Sequence, residues 1–270
     1  MKFLTLVETD LRKIIPFLIG IFVIATVGFQ TFFFKIINNI HSNLVKDAAE
    51  SGKSMSEYVS GLTPFSMSTI LDENPLPILF MVLIALILIL SGFYLWYKEW
   101  FGATKRIYLL LSIKGSRLRI YFSKLLVFLF VFFTFYGIVL LNLYIGTLVM
   151  KTILPAEAID GQLIKTTLIH SEIITFLLPV SIGTLLYKAS FLIMMFCMLS
   201  VFVLWDRSKR IWGLIGGLVF IVASIVLFFY MNSLYLYTTE SIQLNWAFTL
   251  VFLVGSFLAG FYLLKKKVSI

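Results

Sequence analysis

Residues 76–97 read LPILFMVLIALILILSGFYLWY, twenty-two positions without a single charged side chain. At 1.5 Å of rise per residue such a helix is about 33 Å long, which matches a hydrocarbon core roughly 30 Å thick. A helix on the surface of a soluble domain shows a polar stripe every third or fourth position. None is present here, so the stretch predicts a helix that crosses a membrane.

The rest of the chain agrees with that reading. Its 270 residues are 60% hydrophobic, 17% aromatic and only 13% charged, with a mean hydropathy of +1.02. Soluble domains carry about 25% charged residues, so too little polar surface exists here to cover a globule. Further apolar runs predict spans at 14–34, 125–150, 211–231 and 244–264. Between 173 and 205 the run is too long for one span and too short for two. Residues 186–205 are expected to form the fourth span. The apolar segment 173–187, with Pro179 and Gly183, is expected to dip into one membrane face or lie on it. The predicted fold is therefore all-α: a single polytopic transmembrane domain, residues 1–270, with six transmembrane helices.

Charge distribution supplies an orientation. With both termini on one side, that side receives 16 basic residues against Glu8, Asp10, Glu99 and Asp206, a net of +12. The opposite side holds five lysines and nine acids, a net of −4, and Lys188 completes the +9 of the chain. Lys and Arg collect in cytoplasmic loops, so both termini are expected in the cytoplasm. The basic residues sit in short clusters beside apolar runs, which argues against a nucleic-acid-binding face. Residues 2–13 place Phe3, Leu4, Val7 and Leu11 against Lys2, Thr5, Glu8 and Arg12 at helical spacing. An interfacial helix lying in the headgroup layer is expected there, the alternative being a plain extension of the first span. Residues 38–74 form the longest polar stretch and are expected as an outer loop, partly helical where 41–59 carries helix formers.

Several chemical motifs fail on inspection. Ser51-Gly52-Lys53-Ser54 looks like the tail of a phosphate-binding loop, but Asp47 stands where the first glycine is required. His41 and His170 have no second ligand at metal spacing. Cys197, the one cysteine, lies in an apolar run and reads as a packing residue. Pairs of small residues four apart, Gly213 with Gly217, Gly255 with Ala259 and Ser256 with Gly260, allow close helix approach. For the 213 pair, packing within one subunit is the expected use.

The most specific feature is the cytoplasmic connection 98–124, KEWFGATKRIYLLLSIKGSRLRIYFSK. A bland loop of this length is polar throughout. This one carries an apolar centre, Ile107 to Leu111, flanked by Lys105 and Arg106 on one side and Lys114, Arg117 and Arg119 on the other. Such a segment should pack on something, either the membrane interface or a groove in a partner. Here the chain resembles the membrane permease subunits of ATP-binding-cassette (ABC) exporters of the type-two family. Their second connection has an acidic residue at the helix end, a Thr about five on, a Leu-rich short helix, a Ser-Arg pair and a Lys. Glu99, Thr104, Leu109, Leu110, Leu111, Ser116, Arg117 and Lys124 stand at those places. Lys114 and Gly115 depart from the family's Pro before the Ser-Arg pair. The turn Trp205 to Arg210 is similar to the family's short basic hairpin between spans four and five.

The resemblance implies a division of labour. Glu99, Thr104, Lys105, Arg106, Ile107, Leu109, Leu110, Leu111, Arg117 and Arg119 would seat the loop in a separate cytosolic ABC ATPase. That partner would hold ATP and Mg, this chain having no nucleotide-binding motif, no cofactor and no enzymatic activity of its own. A second permease subunit, identical or paralogous, would complete the transporter in a bacterial cell membrane. The apolar spans suit a hydrophobic or amphipathic cargo such as a peptide, drug or lipid, with Lys188 as a substrate-contact candidate. Two alternatives are the substrate-binding membrane component of an importer and a non-transport immunity or sensor protein.

Overall fold

A computed structural model describes residues 3–101, 117–161, 163–209, 211–234 and 237–264. Ten α-helices occupy these residues: α1 (Phe3–Glu50), α2 (Met55–Ser60), α3 (Met67–Glu73), α4 (Leu76–Phe101), α5 (Leu118–Ile153), α6 (Leu163–His170), α7 (Glu172–Leu177), α8 (Ile182–Lys209), α9 (Ile211–Asn232) and α10 (Thr238–Tyr262). No β-strand occurs among the described residues. Helices α1, α4, α5, α8, α9 and α10 are each long and apolar enough to cross a membrane. The chain is thus an all-helical, multi-pass membrane protein, with a helix at each of the six expected spans.

Two boundaries differ from the sequence reading. Residues 3–13 and the first span form one uninterrupted helix, which carries Pro16 inside it and continues well into the polar stretch. Its end has a local cause. Gly52 adopts φ +65°, the left-handed conformation that glycine reaches without steric cost. The amides of Ser51 and Lys53 then close on the carbonyls of Asp47 and Ala48 at 3.0 and 3.2 Å. Ser54 in turn accepts from the Glu57 amide and caps α2. The Ser51–Ser54 run is a helix stop followed by a helix start. The second difference lies at 173–187. Residues up to Leu177 belong to α7, and α8 begins at Ile182 rather than 186. Pro179, which has no N–H to donate, falls in the break between them.

The helices belong to two compact units. One comprises Pro16–Ile87 and Phe132–Ile182. Within it the ring of Phe80 lies against Gly28, and Phe33 and Met67 lie against Gly146. Polar side chains join α1 to α5. The Gln30 amide donates to the main-chain and side-chain oxygens of Asn142 at 3.0 and 3.1 Å, and Asn142 is fully buried. Interhelical hydrogen bonds of this kind contribute about 0.6 kcal/mol each on average in membrane proteins. The polar connections fold as well. Helix α3 packs on α6, burying Met67, Ile70, Leu71, Leu163 and Thr167. Phe65 and Ile159 form an isolated parallel bridge, and Ser171 Oγ donates to Asp72 at 2.9 Å while capping α7.

The other unit comprises Met1–Ile15, Leu88–Val131 and Gly183–Ile270. Aromatic rings fill it. Tyr121 packs edge-on against Phe196 and Phe257, with ring centroids 5.6 and 5.8 Å apart. The Trp96 indole donates to Ser200 Oγ at 2.9 Å. Helices α8, α9 and α10 share a second cluster around Phe191, Phe228, Phe248 and Phe252. The small residues of α9 face α8. Gly213 abuts the Trp205 carbonyl and Gly217 the Phe202 ring, so this pair serves packing within one subunit. On α10, Ser256 and Gly260 are buried, the latter beside Tyr121 and Val201, whereas Gly255 and Ala259 face outward.

Candidate functional site

The distinctive chemistry of the second unit lies where the 98–124 connection leaves α4 and rejoins α5. Its two stems are described to Phe101 and from Arg117; residues 102–116, including Thr104, Lys105, Arg106, Ile107, Leu109, Leu110 and Leu111, lie outside the described residues. Each stem carries one buried charge that meets an opposite charge on α1. Glu99, with 3% of its side chain exposed, accepts a 2.7 Å charge-assisted bond from Lys13 Nζ. Lys124, with 1% exposed, places Nζ 3.7 Å from Asp10. The two α1 residues are themselves neighbours, Lys13 Nζ lying 3.9 Å from the other Asp10 oxygen. Among the described residues two acids and two bases therefore alternate through a largely buried network.

Further bonds fix the network. Lys124 Nζ donates to the Leu95 carbonyl at 2.7 Å and sits 5.4 Å from the centre of the Trp96 ring, a cation–π distance. Ser123 Oγ donates to Asp10 at 3.4 Å. Desolvating four charges costs several kcal/mol per ion, which these extra donors and acceptors offset. The consequence is mechanical. Residues 10 and 13 are one turn apart on α1, so that turn ties together the outgoing and the returning stem of the connection.

A second polar joint lies nearby in sequence. Tyr97 Oη donates to Asp206 at 3.0 Å, and the Arg207 guanidinium lies 3.3 Å from the same carboxylate and over the Tyr97 ring at 5.3 Å. This joins α4 to the end of α8, in the turn singled out at 205–210. Arg117 donates through Nη1 to the Leu264 carbonyl at 2.6 Å, tying the start of α5 to the end of the last helix.

Of the ten residues expected to seat a partner, the structure thus describes three. Glu99 and Arg117 are both turned into the chain. Arg119 is exposed. Lys188 lies in the second turn of α8 and is half-buried. Among the described residues no group of three or more His, Cys, Asp or Glu side chains is placed to hold a metal ion. The pairing of Asp10 and Lys13 with the loop stems escaped the sequence reading. Both were counted only in the cytoplasmic charge sum, which places them on the same side as the stems but pairs them with nothing.

No family model, curated protein or solved structure matches the chain.

Proposed function

We propose that this chain is the membrane permease subunit of an ATP-driven exporter. The observation that carries the reading is the 98–124 connection, an apolar segment flanked by basic residues on two stems that the first helix clamps. Resemblance to type-two ABC permeases rests on the same residues. A cytosolic ABC ATPase is the partner, holding ATP and Mg. Ile107, Leu109, Leu110 and Leu111 supply the apolar contact, and Thr104, Lys105 and Arg106 the polar rim.

Glu99 and Arg117 act as positioning residues in this scheme. Ion-paired to Lys13, Glu99 makes the loop and the N-terminal helix move as one body. Closure of two ATPases would then shift the six spans by favouring one of two arrangements, the differential affinity for those arrangements setting the coupling. Both termini and the connection lie on the cytoplasmic face, as the +12 to −4 split of charge supports. Six spans are half of an exporter of this type, so a second permease subunit completes it. Exposed apolar side chains cover much of α9, among them Trp212, Val219, Val226 and Phe229, and face lipid or that second subunit. The cargo is hydrophobic or amphipathic, a reading that the apolar spans support.

Purification from its native membrane in mild detergent tests the reading. The expected result is a soluble subunit with a phosphate-binding loop, in a defined stoichiometry, and Mg-dependent ATP hydrolysis in the preparation. A pure chain, with no nucleotide-binding partner and no hydrolysis, favours the sensor or immunity alternative.

A further inference from the structure

One surface of α5 carries an unassigned groove. It has a volume of about 430 Å³ and is lined by Phe3 of α1 and by Leu118, Arg119, Phe122, Leu125 and Leu126 of α5, with Leu129 closing it one turn further on. The α5 positions recur at three- and four-residue spacing, so they form one continuous face. Its lining is almost wholly apolar. Arg119 therefore contributes its methylene stem to the wall, and its guanidinium lies outside, at the rim, the arrangement long basic side chains adopt at membrane interfaces.

Two features of Arg119 call for an anion. The residue lies in the first turn of a 36-residue helix that has no acidic side chain in that turn. Helix starts carry partial positive charge from unsatisfied amides, and a cation there is disfavoured unless a negative group accompanies it. Arg117, the other basic residue at this helix start, donates to the Leu264 carbonyl. Arg119 makes no ion pair or hydrogen bond with any described residue. A guanidinium fork is suited to two phosphate oxygens.

We infer that the groove between Phe3 and the first three turns of α5 holds one acyl chain of an anionic phospholipid whose phosphate is bound by Arg119. An apolar trough of lipid-chain character ending at a guanidinium without a partner among the described residues fits the two halves of that molecule and no hydrophilic anion. The site stands apart from the exporter reading, since it needs only a membrane. It also removes Arg119 from the residues that steer a partner, and it places a bound lipid where the connection 98–124 rejoins its helix.

Native mass spectrometry of the purified chain, equilibrated with equal amounts of dioleoyl phosphatidylglycerol and dioleoyl phosphatidylcholine, tests the site. The wild-type chain is expected to retain one phosphatidylglycerol about fivefold over phosphatidylcholine, the preference one interfacial basic residue confers. Arg119→Gln should abolish that preference, and Arg119→Lys should keep most of it. Leu126→Trp, which fills the groove, should lower retention of both lipids. Equal retention of the two lipids by the wild-type chain overturns the proposal, as does an Arg119→Gln variant that still prefers phosphatidylglycerol. Undiminished retention by Leu126→Trp removes the acyl-chain half of the site. A lipid-free dimer mass would assign the groove to a second copy instead.

Discussion

Replacing Lys124 with methionine is expected to lower stability by about 3 kcal/mol, the lower end of the cost of breaking a buried ion pair. For a chain of this length that is a drop of roughly 6–12 °C in thermal midpoint. Methionine fills much of the volume of the lysine stem, so the loss reads charge and hydrogen bonding rather than a cavity. Asp10 keeps Ser123 and a more distant Lys13, which is why the lower end applies. The double variant Asp10→Asn, Lys124→Met no longer holds an uncompensated carboxylate, and about half of the loss should return. Detergent-solubilised thermal unfolding, followed by size-exclusion fluorescence, measures both. If the single and double variants fall equally, the pairing of Asp10 with Lys124 contributes nothing, and the clamp around the connection is reduced to the Lys13–Glu99 bond.

The second large effect is expected at Gly213. A Cβ added there would collide with the Trp205 carbonyl oxygen and lie 2.6 Å from its carbon, both main-chain atoms that cannot swing aside. Gly213→Ala should therefore force α9 away from α8, at a cost of about 1–3 kcal/mol, as overpacking does in tight interiors. Gly216 is the internal control. A Cβ at that position meets only the Trp205 ring, at an ordinary 3.8 Å. Gly216→Ala should be neutral or stabilising, because alanine is favoured over glycine in a helix by up to about 1 kcal/mol. Gly217 falls between them, since its 2.8 Å neighbour is a Phe202 ring atom that can rotate. A melting series in the order 213, 217, 216 reads the α8–α9 contact directly. Equal effects at 213 and 216 would contradict it.

The spans were legible because a membrane helix is written locally. Twenty-two uncharged residues such as 76–97 permit no other fold in a bilayer, and tertiary partners add little to that decision. Helix ends were less legible because they depend on single backbone conformations. Gly52 stops α1 by its positive φ, whereas the sequence only excluded a phosphate-binding loop there and said nothing of its backbone conformation. The helical continuation through residues 38–50 was only faintly legible, since its buried stripe, Ile37, Leu44 and Ala48, is narrow and set among polar side chains. Glu99 was singled out by its place at a helix end, but its partner Lys13 lies 86 residues away. No spacing rule connects two such positions. Charge counting put both on one side of the membrane and went no further. The small residues at 213 and 217 announced close packing, though the surface they meet, the Trp205 carbonyl, is a main-chain feature that composition does not register.

The clamp gives the proposed coupling a physical form. A force applied to residues 104–111 reaches Glu99 and Lys124 through the stems, and both are bonded to the same turn of α1. Motion of the connection is thereby carried to the turn of α1 that holds Asp10 and Lys13. The central proposal is that a cytosolic ATPase seats the connection.

The most direct measurement of that claim is co-purification of the nucleotide-binding subunit with Leu109→Asp, Leu110→Asp, Leu111→Asp, all three replaced together. Three carboxylates in place of the apolar contact should abolish capture of the ATPase, at least about a hundredfold, given a burial value of roughly 1.5–3 kcal/mol per leucine. Membrane insertion and thermal stability should be unchanged. Unaltered capture of the ATPase by a correctly inserted triple variant would contradict the account.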